Sequence, residues 1–226
     1  MIDLRSYFRY IPSQENVSCC TASATLLACE YLYARHGDHK HFSRLFLYYM
    51  TRKLQGRVGQ KGAELKETMR ALSKYGCCLE VDWPFMANRE NREPISRAVD
   101  NAKNYMLEEY DTLDSINFKE YLNNELPVVV GMNVGRRFLR LAGPITEHTY
   151  CKIGDNNRYS RGHALVIVGY DDTLCGGSWI AANSMGLKWG DRGFAAIPYE
   201  CNQDIGEAYV VKRFGNKTTE KKISDN

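Results

Sequence analysis

QENVSCCTASATLLACEYLYAR, residues Gln14 to Arg35, places a thiol where a buried helix begins. From Thr21 to Arg35 the small and apolar residues Ala22, Ala24, Leu26, Leu27, Ala28, Cys29, Tyr31, Leu32 and Ala34 leave no wide polar face, the pattern of a helix covered on all sides. Gly37 supplies a C-terminal stop, so the helix starts near Cys20. A thiol there meets unsatisfied backbone N–H groups and the positive end of the helix dipole, both of which favour thiolate. Taken alone, such a cysteine reads as an inert core thiol rather than as a nucleophile.

Two later stretches shift that balance. In RGHALVIVGYDD, His163 stands before the apolar run Ala164 to Val168, which reads as a buried strand closed by Gly169. In SWIAANSMGLKWGDRGF, Asn183 ends a second short strand, Ser178 to Ala182. The seven residues Asp171 to Gly177 between them predict antiparallel neighbours, which brings His163 toward Asn183. Thiol, imidazole and carboxamide in that chain order are the parts of a Cys-His-Asn relay, in which the ring holds the thiolate and the amide oxygen fixes the ring. Gln14, six residues before Cys20, carries a side-chain N–H suited to an oxyanion, beside the backbone N–H of Cys20.

With these residues in place the chain resembles the papain family of cysteine peptidases, and more closely its compact bacterial branch. The shared pattern is Gln14, Cys20, His163-Ala164, Val168-Gly169-Tyr170, Asn183-Ser184-Met185-Gly186, Trp189-Gly190 and Gly193-Phe194. The blocks IDLRSYF, SRLFLYYMTRKLQG, GAELKETMRALSKYG and IPYE also look like that branch, so the resemblance runs from Ile2 to Val211. Three positions depart from the family. The first cysteine of a common family disulfide is missing from Val17-Ser18-Cys19-Cys20-Thr21, which weakens any secreted assignment. Met185 replaces the aromatic that shields the Asn–His bond. Cys19 next to Cys20 leaves two registers for the nucleophile, and the glutamine spacing selects Cys20.

The resemblance implies an α+β fold of two lobes, a helical first lobe and an antiparallel β-barrel-like second lobe, with the active site in the cleft between them. It implies Cys20, His163, Asn183 and Gln14 as the catalytic residues. Gly62, Gly162 and Met185 are the candidates for substrate contact, although Gly59 and Gly62 also read simply as turn residues. Neither cofactor nor metal is called for. The expected partner is a peptide or protein substrate, with a prosegment or inhibitor protein supplied from outside the sequence. Exopeptidase or transpeptidase chemistry on the same parts, and a catalytically weak peptide-binding homologue, stay open at this point.

Bulk properties set the outer limits. The 226 residues suffice for one catalytic domain, 1–214, with a helical lobe over about 14–110, a β-rich lobe over about 111–214 that includes the N-terminal segment, and a frayed tail at 215–226. A net charge of +3 with no long Lys/Arg block argues against a nucleic-acid or membrane partner. MIDLRSYFRYIPSQE lacks the apolar core of a signal peptide, and no run approaches membrane-spanning length. Eight cysteines, two pairs of them adjacent and none spaced C-x-x-C, are expected to be mostly free thiols in a reducing, cytoplasmic setting. His36, His39 and His41 beside Asp38 suit a solvated helix end better than a metal.

Between the motifs, helices are expected at Ser43 to Gln55 and Ala63 to Tyr75, partial helical spacing at Ile95 to Glu109, and a short helix at Ser115 to Asn124. Strands are expected at Val128 to Val134, Gly193 to Pro198 and Ala208 to Arg213. Thr146 to Arg161 reads as a polar insertion or a plain surface loop.

Overall fold

Helix α1 (Cys20–Ala34) runs through the middle of the molecule, and its surroundings account for its composition. The computed structural model describes residues 1–143 and 161–215. On one side α1 packs against helices α2 (Arg44–Leu54) and α3 (Leu65–Tyr75). On the other it meets strands β3 (Val128–Val134), β4 (Arg161–Asp171) and β7 (Ile205–Phe214). A helix with protein on both flanks needs apolar or small residues all round, which is what Thr21 to Arg35 supplies.

The remaining elements are β1 (Ile2–Asp3), α4 (Ser96–Ala102), β2 (Leu107–Leu113), α5 (Phe118–Asn123), α6 (Arg136–Leu139), β5 (Ser178–Ala182) and β6 (Phe194–Pro198). One antiparallel sheet runs β2-β7-β3-β4-β5-β6, with β1 on β4 beside that path. The barrel-like second lobe is thus an open sheet, in which β2 and β6 do not meet. β4 and β5 pair as the short connection requires, Tyr170 opposite Trp179 and Asp171 opposite Ser178. Ser43 caps α2 by accepting a hydrogen bond from the Phe46 N–H at 3.2 Å.

Ile95 to Glu109 departs from its expected helical character. Only Ser96–Ala102 is helical, and from Leu107 the chain pairs with β7. The partner strand lies about a hundred residues downstream, so no local spacing announces it. The Thr146 to Arg161 loop, apart from Arg161 itself, and the tail beyond Gly215 lie outside the described residues. Among the cysteines, Cys19, Cys20, Cys29, Cys77, Cys78 and Cys201 are free thiols, as expected, whereas Cys175 is disulfide-bonded.

β1 takes over the edge of β4 where β3 leaves it. β3 covers β4 from Arg161 to Ile167, and Asp3 and Ile2 then stand opposite Gly169 and Tyr170. Gly169 is required by the closeness of this contact, because a Cβ there would lie 2.3 Å from the Ile2 carbonyl oxygen. Gly169→Ala is expected to lift β1 off β4 and lower stability by about 1–3 kcal/mol. A urea midpoint equal to wild type would refute it.

Candidate active site

Cys19 and Cys20 open α1 together but face different surroundings. Cys19, the residue capping the helix, is fully buried, with its Sγ 3.7 Å from Ser23 Oγ. Burial pushes its thiol up to about 12. Cys20, the first helical residue, is only partly buried and lines a cavity of about 760 Å³ between α1 and the sheet. Of the two registers, only Cys20 presents its sulfur to open space.

His163 projects from β4 into the same cavity and is 5% exposed. Its Nε2 lies 2.7 Å from Asn183 Oδ1, just past the end of β5. That oxygen also accepts the Ser184 backbone N–H at 2.8 Å. Since the backbone donor can face only an acceptor, the amide orientation is determined, and His163 Nε2 must carry the hydrogen. Nδ1 is then the basic nitrogen of the neutral ring. Phe138 of α6 meets the ring edge-on at a centroid distance of 6.3 Å, and Trp189 backs Phe138 at 5.1 Å. Phe138, a residue the sequence did not single out, thus supplies an aromatic neighbour to the His163 ring.

Gln14 is 8% exposed and held at three points. Its backbone N–H donates to the Ser184 carbonyl at 2.8 Å, its Oε1 accepts the Ser184 hydroxyl at 2.5 Å, and its Nε2 donates to the Val17 carbonyl at 2.9 Å. One amide hydrogen is left over. Ser184, absent from the sequence-derived site, therefore joins Gln14 to Asn183: its N–H fixes one amide and its hydroxyl the other. Neither Gln14 nor Met185 is among the described lining of the cavity. Met185 instead bridges Ser13 as a short antiparallel contact.

Gly62 and Gly162 both line the cavity. The Gly62 N–H is already spent on the Tyr48 hydroxyl, at 3.0 Å. Behind that tyrosine lies Arg52, 1% exposed, whose guanidinium donates to the carbonyls of Gln60 (3.1 Å) and Glu90 and to Asn91 Oδ1 (2.7 Å) while packing over the Tyr48 ring. A buried charge is stable only when its donors are used in this way. It holds the loop that brings Lys61 and Gly62 to the cavity wall.

The electrostatics differ from the helix-start expectation. Burial raises the Cys20 thiol, and this outweighs the backbone N–H groups of Ala164, Thr21 and Cys20 and the charge of Arg161, all of which favour thiolate. Burial also lowers His163, opposed by its bond to Asn183 and aided by Arg161. Each shift, taken for its own group, favours the uncharged form, while attraction between a Cys20 thiolate and a His163 imidazolium opposes both. The helix-start argument counted the N–H groups but not the desolvation.

A pH effect follows for stability. Unfolded His163 titrates near its ordinary value of 6.5, but folded His163 resists protonation. The unfolded state therefore binds more protons below pH 6.5, and the native state loses stability as pH falls through that value. The melting temperature should drop more steeply between pH 7 and 5 in wild type than in His163→Gln. Parallel profiles would remove His163 as the cause.

The family model described as papain family cysteine protease matches residues 1–212. An uncharacterised peptidase C1-like protein of Acanthamoeba polyphaga mimivirus is 26% identical over 201 residues, covering 83% of this chain and 63% of the viral protein. Xylellain, a cysteine protease from Xylella fastidiosa, superimposes with a TM-score of 0.79 at 26% identity, over 93% of this chain and 85% of its own. Digestive procathepsin L 3 of Tenebrio molitor larval midgut has the same fold, at TM-score 0.72 and 20% identity, over 93% and 69% of the two chains. The chain spans less than two thirds of the length of the curated relatives first matched.

Proposed function

Since the chain belongs to the papain family of cysteine proteases, we propose that it hydrolyses peptide bonds through Cys20, His163 and Asn183, with Gln14 serving the oxyanion. The observation that carries this reading is the 2.7 Å bond from His163 Nε2 to Asn183 Oδ1, with Cys20 and His163 lining one cavity.

Cys20 is the nucleophile and His163 its base. As Sγ of Cys20 attacks the scissile carbonyl, its proton passes to His163 Nδ1, and Asn183 Oδ1 steadies the imidazolium through Nε2–H. The oxyanion receives the Cys20 backbone N–H and the remaining amide hydrogen of Gln14. The imidazolium then gives its proton to the leaving amine, which departs and leaves a thioester. A water deprotonated by neutral His163 attacks the thioester, and the thiol recovers the proton as the acid product leaves. A prosegment or inhibitor protein lying in the same cavity would block this chemistry.

The test is digestion of a mixed pool of synthetic peptides followed by mass spectrometry, with and without prior treatment with an epoxide thiol inhibitor. Internal cleavage lost on treatment is expected. An intact pool alongside an unlabelled Cys20 would overturn the reading. Removal of single terminal residues would place the activity among exopeptidases.

A further inference from the structure

We propose that Arg161 is a positioning residue for the catalytic pair, its guanidinium holding the pH range in which Cys20 and His163 cooperate lower than the pair would hold it alone. This rests on the proteolytic reading above and adds a tuning residue to it.

The register of β4 brings the charge to the pair. Arg161 and His163 stand opposite Val134 and Met132 of β3, with no break in the ladder between them. Residues two apart on a strand share a face, about 7 Å from one another along it. Both line the cavity that Cys20 also lines. A guanidinium stays charged at every pH at which a thiol and an imidazole titrate. In that place its charge favours thiolate at Cys20 and opposes protonation of His163.

Arg161 is the charge nearest His163 along the sheet. The other charged residues of the lining are Lys61, Glu64, Asp204 and Glu207. Glu64 faces Arg57 at 3.6 Å. Glu207 stands opposite Gly131, and Gly131 opposite Ala164, so two strand spacings, about 10 Å, separate the Glu207 backbone from that of Ala164. Asp204 comes just before β7. Lys61 has the same sign as Arg161 and adds to its effect. The elements packed around the pair bring little more. β3 and β5 are uncharged, and the first turn of α1 has no acidic residue. α6, which supplies Phe138, carries Arg136 and Arg137, neither of them in the described lining.

A fixed cation here acts on both limbs of the pH profile. The working pair holds one proton between thiol and imidazole. Gaining a second gives thiol with imidazolium, losing the first gives thiolate with neutral ring, and these two steps bound the bell. In each step the positive neighbour favours the form with fewer protons. Both limbs therefore move to lower pH, whichever of the two groups holds the proton of the working pair.

The experiment records kcat/KM against pH for one fluorogenic peptide taken from those cleaved in the pool, and the rate of epoxide labelling of Cys20 over the same range. Arg161→Gln is expected to move both limbs of the bell to higher pH by about half to one pH unit at unchanged width, the effect of a unit charge about 7–10 Å away in a water-lined site. Arg161→Glu should move them about twice as far, and Arg161→Lys should stay with wild type. Because the side chain is exposed, added salt should carry the wild-type bell toward that of Arg161→Gln. The acid limb of labelling should move in step. A bell that loses height without moving, or of which one limb alone moves, overturns the proposal, since a purely structural role gives the first and a contact with one group the second. Wild type that cleaves and labels, with Arg161→Gln limbs in place, removes only the role of Arg161. Labelling without cleavage removes the proteolytic reading, and the labelling profile then decides on Arg161 by itself. Absence of both in wild type removes the two together.

Discussion

Cys20→Ala is expected to lower kcat on the order of a millionfold, the loss seen when a nucleophile is removed from a cooperating relay, while Cys19→Ala keeps its turnover. The two thiols are neighbours in sequence, but only one lines the cavity; the other is buried against Ser23 with its thiol pushed up to about 12. Mass spectrometry after epoxide treatment should show one adduct per chain, absent in Cys20→Ala and present in Cys19→Ala. Because Cys20 is raised by burial, labelling by a small reagent should slow as pH is lowered, whereas a resting ion pair would keep it fast in acid. An adduct on Cys19, or cleavage that persists in Cys20→Ala, would displace the nucleophile.

The second large effect falls on Gln14. Gln14→Ala should cost about 10²- to 10³-fold in kcat with little change in KM, because an oxyanion donor acts only once charge has developed on the substrate oxygen. Epoxide labelling of Cys20 should survive, since the thiol and imidazole are untouched. The same substitution strands the buried Ser184 hydroxyl, which now donates to Gln14 Oε1, and should lower stability by about 1–3 kcal/mol. A raised KM with intact kcat would mean that Gln14 only shapes the binding surface.

What was legible in the sequence was whatever a local pattern encodes. The all-round apolar run after Cys20 fixed a central helix, observed as Cys20–Ala34. The β-branched run Val128–Val134 and the short connection after Asp171 gave strands and pairing that the sheet reproduces. What was not legible depends on partners distant along the chain. β2 is a strand because β7 pairs with it, and β1 is two residues long and has meaning only against Gly169. Phe138 reaches the His163 ring from a four-residue helix that carries no motif. The desolvation that raises Cys20 and lowers His163 is a property of the assembled cleft and not of either residue's neighbours in sequence. Arg52 looks like any surface arginine in a helix until Gln60, Glu90 and Asn91 close around it.

That arginine divides labour along the rim of the cleft. Gln60 is gripped through its carbonyl and Gly62 through its N–H, so the wall is anchored by main-chain atoms, a carbonyl that every residue carries and an N–H that only proline lacks. The exposed side chains of Gln60 and Lys61 carry none of that main-chain anchoring. They are two positions that can be rewritten, by drift or by design, while the wall keeps its place: a natural site for building a library of altered specificities, provided Arg52 and Tyr48 are left as they are and the positive-φ glycines Gly59 and Gly62 are kept.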